Sequence, residues 1–214
     1  MFRTISIVAF VIAFCGIGIN CLISPCRRCW SQPLRKLVEL FSLLFVEQKL
    51  SLASVLRKLV YLLALLCFVV LGVTGFYNRL VLNQPISGYL MMVHATFAPI
   101  FAICLAVLAI MWARNCRFSY SDWPWLSRLI QRVMLVKISD EAPSPAGGLG
   151  QKVTFWLVIF LALPLILSIV SSMFPLAGTH WQEILLAVHR YTAVAFAVAA
   201  IIHTYLMIRS QMKP

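Results

Sequence analysis

Four histidines stand in this chain, and three of them fall in stretches that are otherwise almost wholly apolar. His189 and His203 lie fourteen residues apart in EILLAVHRYTAVAFAVAAIIHTYLMI, and His94 lies in GYLMMVHATFAPIF. At about 1.5 Å rise and 100° per residue, that interval puts His189 and His203 on nearly one helix face, about 21 Å apart. An ionisable side chain inside a membrane helix is costly and marks a functional position by default. Neutral imidazole is a ligand for iron, and apolar bundle interiors suit the apolar macrocycle of haem. The chemistry to expect from these residues is therefore metal ligation and one-electron exchange.

The chain around them is a membrane protein by composition. Of 214 residues, 62% are hydrophobic and only 11% charged. Such a balance, in continuous runs without period-2 alternation, specifies an all-α integral membrane fold and argues against a β-barrel. The net charge is +12, but the basic residues flank the apolar runs. They set topology and meet lipid headgroups, and no nucleic-acid partner is expected.

Five spans follow, near residues 5–24, 59–77, 89–113, 153–174 and 184–208. The domain reading is an N-terminal span with a basic segment, 1–58, followed by a four-helix bundle, 59–214, with a connector at 114–152. The first run reads as a retained helix, because the basic residues after it oppose translocation of that flank. Residues 34–48 read as an interfacial helix, too short in apolar length to cross. Pro164 is an expected kink, and Ser168, Ser171 and Ser172 are candidates for hydrogen bonds between helices. Arg27, Arg28, Arg35, Lys36, Lys49, Arg57 and Lys58 fall in one loop region, and six more basic residues in 114–152. The other two loops hold only Arg79. This bias places the N-terminus outside and both basic segments and the C-terminus in the cytoplasm of a bacterial-type inner membrane.

With that orientation, His94 and His189 lie at matching depth near the outer face, and together they can supply both axial ligands of one haem iron. Arg190 stands where it can neutralise a propionate. His203 lies at inner depth, where spans two, three and four offer no second histidine. It reads as a solitary ligand, a ligand completed by a partner, a quinone hydrogen-bonder or a satisfied core residue. His180, beside Trp181, reads as an interfacial residue. Of the seven cysteines, Cys26 and Cys29 form a CxxC without a following histidine, so covalent c-type haem attachment is not indicated. No pair of broken helices or internal repeat suggests a transporter.

The stretches RKLVYLLALLCFVVLGVTGF, GYLMMVHATFAPIF and LLAVHRYTAVAFAVAAIIHTYL resemble the membrane-bound cytochrome b subunits of formate dehydrogenase, nickel–iron hydrogenase and thiosulfate reductase complexes. The resemblance covers about residues 50–208, four of the five spans, and leaves the first span outside. It implies a haem-binding four-helix bundle plus one extra N-terminal helix. It also implies haem b at His94 and His189, a second haem b at His203 with a first-helix histidine, redox partner subunits and the quinone pool. This sequence has Val60 or Tyr61 where that last histidine belongs. The resemblance makes the chain an electron-transfer subunit, with bond-making catalysis left to partners. The alternative is an anchor or assembly subunit with reduced or no haem.

Overall fold

The computed structural model describes residues 1–23, 52–118, 149–174 and 178–211. These form five α-helices: α1 (Phe2–Ile23), α2 (Leu52–Leu80), α3 (Gly88–Ala113), α4 (Leu149–Met173) and α5 (Thr179–Gln211). All five are long and apolar enough to cross a bilayer. In hydrocarbon every backbone polar group needs an internal partner, so apolar runs of this length become helices. The expected all-α membrane architecture is the one observed. The Cys26–Cys29 pair, the 34–48 segment and most of the 114–152 connector lie outside the described residues.

The helices overrun the expected spans. α2 begins at Leu52 rather than near residue 59, with Arg57 and Lys58 inside its second turn, and α5 runs from Thr179 to Gln211. Apolar composition marks only the part that sits in hydrocarbon. The backbone ladder continues into the headgroup layer, where long basic side chains extend to water. Pro99 and Pro164 both lie inside continuous helices. The α2–α3 turn passes through Asn83 at φ 55°, a left-handed conformation asparagine tolerates, and Gly88 at φ 59°.

Two antiparallel hairpins make the bundle. In the first, Thr74 of α2 meets His94 early in α3, and Tyr61 meets Trp112 at the opposite end. In the second, α4 and α5 pair through Leu165 with His189, Thr154 with His203 and Gln151 with Leu206. Contact within each hairpin is extensive, whereas α3 and α4 touch lightly. The hairpins are joined near His203 by the Trp156 indole N–H, which donates to the Cys116 carbonyl (2.9 Å). At mid-height they are joined by three phenylalanines. Phe68, Phe101 and Phe196 lie at ring separations of 5.9 to 6.3 Å and fasten α2, α3 and α5 together.

Lipid tails are as apolar as leucine, so close packing holds these helices together more than exclusion from water. Small residues let the α4 and α5 backbones approach: Ala162 and Ala199 share a buried cluster with Val158 and Phe196. α1 runs parallel to α5. Phe2 packs edge-on against Tyr191, Phe10 against Phe76, and Asn20 accepts a hydrogen bond from the Tyr205 hydroxyl (2.9 Å).

The serine expectation fails. Ser168 donates to Leu165 and Ser172 to Ile169, both carbonyls of their own helix, and Ser171 is exposed. A short hydroxyl reaches the carbonyl one turn back more easily than a neighbouring helix.

Candidate haem site

Two levels of histidine are built into the hairpins. The upper level holds His94 and His189, and the lower level holds His203. His94 sits in the second turn of α3 with its Nδ1 2.9 Å from the Thr74 hydroxyl. Thr74 is buried, and its hydroxyl donates to the Val70 carbonyl one turn back (2.7 Å). A hydroxyl has a single hydrogen, and here the backbone takes it, so the Thr74 oxygen accepts from Nδ1–H. The neutral ring is thereby fixed as the Nδ1–H tautomer, with the lone pair on Nε2.

Gly75 makes this approach possible. A Cβ at that position would lie 3.2 Å from His94 Cε1, closer than ordinary van der Waals contact. The imidazole therefore rests on bare α2 backbone.

His189 reaches the same electronic state by another route. Its Nδ1 donates to the Leu165 carbonyl of α4 (2.9 Å), again leaving Nε2 free. The two upper imidazoles are half-buried and within electrostatic reach of each other, and Arg190 lies within electrostatic reach of His189. Imidazoles that ligate metals almost always donate their second ring nitrogen to a carbonyl or comparable acceptor, which fixes the tautomer and raises ligand basicity. Both upper histidines show that arrangement. Among the described residues no cluster of three or more metal-ligating side chains occurs. A structural zinc site needs about four ligands, whereas a six-coordinate haem needs two axial ones. Two prepared imidazoles in an apolar interior fit haem.

His203 lies at the other end of the second hairpin. Its Nδ1 is 2.9 Å from the Thr154 hydroxyl, which donates to the Gly150 carbonyl (2.8 Å). The His203 ring also donates to the Gln151 backbone carbonyl, so it is held by two acceptors of α4. The ring borders a cavity of about 230 Å³ that also touches Trp112, Cys116, Lys152 and Phe155. Burial pushes the Cys116 thiol above its ordinary pKa, and nearby Lys152 pulls it back down. His180 is exposed at the start of α5 and joins neither level.

A family model for prokaryotic cytochrome b561 matches residues 57–213. The chain belongs to the prokaryotic cytochrome b561 family. The match takes in α4 and α5 and almost all of the α2–α3 hairpin, with both histidine levels, and leaves α1 outside. Neither a curated protein nor a solved structure gives a significant match. Membership makes the protein a multi-pass inner-membrane cytochrome that binds b-type haem and takes part in electron transfer. His94 and His189, each engaged through Nδ1, are the residues that could hold a haem iron at the upper level.

Sequence reasoning reached the histidines and missed what holds them. Thr74, Thr154 and Gly75 carry no motif. The available signal was positional: each threonine stands where an antiparallel hairpin brings it level with a histidine. Phe196 was also passed over, although it lies seven residues from both His189 and His203.

Proposed function

We propose that this cytochrome is the electron-transfer subunit of a membrane oxidoreductase. It carries electrons between a redox partner outside and the quinone pool, through haem b held by His94 and His189. The observation that carries the reading is the matched pair of imidazoles, each held through Nδ1 with Nε2 left to bind iron. Haem b, when bound, supplies reversible one-electron exchange at iron. The chain's residues do the rest. Thr74 and the Leu165 carbonyl orient the imidazoles and raise their basicity. Apolar side chains exclude water from the site, and Arg190 offers a cation to a propionate.

The charge bias of the loops supports placing the upper level at the outer face. A partner outside would exchange electrons there. The aromatic layer of Phe68, Phe101 and Phe196 fills the space below with close-packed rings, through which electrons tunnel more readily than across a void. Quinone, dissolved in the membrane, is the carrier suited to receive or supply electrons from a protein with most of its mass in lipid.

The test is optical. Purified protein should show b-type bands in a reduced-minus-oxidised spectrum, and a short-chain quinol should reduce them. Quinol that leaves the bands oxidised argues against exchange with the quinone pool, and the absence of His189-dependent bands argues against the reading as a whole.

A further inference from the structure

α1 lies outside the matched residues, yet its contacts follow the same interval as the histidines. Tyr191 and Tyr205 stand two residues after His189 and His203, so they too are fourteen apart. Two residues turn an α-helix by about 200°, which puts the tyrosines on the face of α5 opposite the imidazoles. α1 packs on that face. At the upper end Phe2 meets Tyr191 edge-on (5.4 Å). At the lower end the Tyr205 hydroxyl donates to Asn20 (2.9 Å) and accepts from Arg209 (3.0 Å), with the Cys21 Sγ 3.6 Å away.

The same helix reaches the other hairpin. Phe10 packs edge-on against Phe76 of α2 (5.2 Å), the residue after Gly75, on which the His94 ring rests. Ring quadrupoles favour edge-to-face contact, so each pair fixes a direction as well as a distance. The stripe that α1 turns inward, Phe2, Ser6, Phe10, Ala13, Ile17 and Cys21, recurs every three or four residues and is one helix face. Ser6 and Ala13 are buried within it and small enough for close approach. The hairpins are tied to each other at mid-height by the phenylalanine layer and below by Trp156, while α3 and α4 touch lightly. A haem iron held by His94 from one hairpin and His189 from the other needs the hairpins held in the upper half as well. There α1 touches both.

We propose that α1 is a splint for the upper haem: it sets the separation of the hairpins and the rotation of α5, and Phe2, Phe10, Phe76 and Tyr191 are positioning residues for His94 and His189. This rests on the reading of those histidines as the axial ligands of one low-spin haem. Thr74 and the Leu165 carbonyl fix each imidazole on its own hairpin, and neither contact crosses between hairpins. The angle between the two ring planes at the iron is therefore set by how the hairpins sit. That angle governs the low-field g value of a ferric low-spin haem. A loosened splint also admits water, and burial is a lever on the midpoint potential.

The experiment is electron paramagnetic resonance of the ferric full-length protein, with a redox titration. Tyr191→Leu and Phe10→Leu keep apolar bulk for insertion and lose the edge-on ring pair. Each should shift the low-field g value and the midpoint potential, with haem per chain retained. Tyr191→Phe keeps the ring and should restore the wild-type values. Phe14→Ala, on the exposed side of α1, should leave them unchanged. Should Tyr191→Leu fail to fold, Phe10→Leu reports on the same splint from the other hairpin. Wild-type g value and potential in Tyr191→Leu and Phe10→Leu alike would overturn the proposal. So would an equal shift in Phe14→Ala or Tyr191→Phe, since ring packing between α1 and the hairpins would then not be what matters. Wild-type protein without His189-dependent low-spin haem would instead sink the underlying reading, and the proposal with it.

Discussion

The upper and lower histidine levels use the same device and differ in what faces it. At the upper level, α3 and α5 each deliver an imidazole with Nδ1 engaged, one by a threonine and one by a backbone carbonyl. At the lower level, α5 delivers an imidazole held by Thr154, and α3 brings Trp112 in its last turn, with Asn115 and Cys116 just beyond the helix end. Preparing an imidazole takes one acceptor on the neighbouring helix of the same hairpin. Completing a six-coordinate site takes a second histidine on the other hairpin. The first condition is met three times here, at His94, His189 and His203, and the second only at the upper level.

That contrast is open to mutation. The largest expected effect comes from His94→Ala or His189→Ala. Either should abolish the low-spin b-type haem, read as haem per chain in a pyridine haemochrome assay, while the chain still inserts into the membrane. His203→Ala should leave that component and its spectrum in place, because His203 lies about 21 Å from His189 along α5. Loss of low-spin haem in His203→Ala would erase the distinction between the levels.

Smaller effects come from the supporting residues. Gly75→Leu should displace His94 and cut low-spin haem several-fold. Gly75→Ala, whose Cβ would meet a ring edge at 3.2 Å, should lower it modestly. Thr74→Val removes the acceptor for His94 Nδ1–H and leaves a half-buried donor without a partner, a cost of about 1–3 kcal/mol. It should reduce haem retention on warming and raise the midpoint potential, since the ligand becomes less basic. Thr154→Val should spare the upper haem in both respects. Equal shifts from the two threonine variants would contradict separate levels. The smallest effect concerns Cys116. Its pKa stands above the ordinary thiol value. Maleimide labelling of its peptide near pH 8, followed by mass spectrometry, should therefore be slower than for a free thiol and should accelerate as pH rises.

Much of this architecture was legible from the residues. Five apolar runs set the five spanning helices seen among the described residues, and three intramembrane histidines set the two levels, because both depend only on distance along a helix. The rotational phase of each helix was not legible. A membrane helix is apolar all round, so its pattern does not tell which side meets a neighbour. That is why Ser168 and Ser172 were expected to bridge helices and bond their own backbone instead. It is also why Thr74, Gly75 and Thr154 gave no sign of lying against histidines. The helix ends were misjudged for a related reason, as composition follows the hydrocarbon boundary and the backbone ladder does not.

The central claim is that His94 and His189 together hold one low-spin haem b. Haem per chain in wild-type and His189→Ala protein, from reduced-minus-oxidised spectra of both, tests it most directly. The account predicts a low-spin b-type band in the wild type that disappears in the variant. An unchanged band in His189→Ala, or wild-type protein without one, would contradict it.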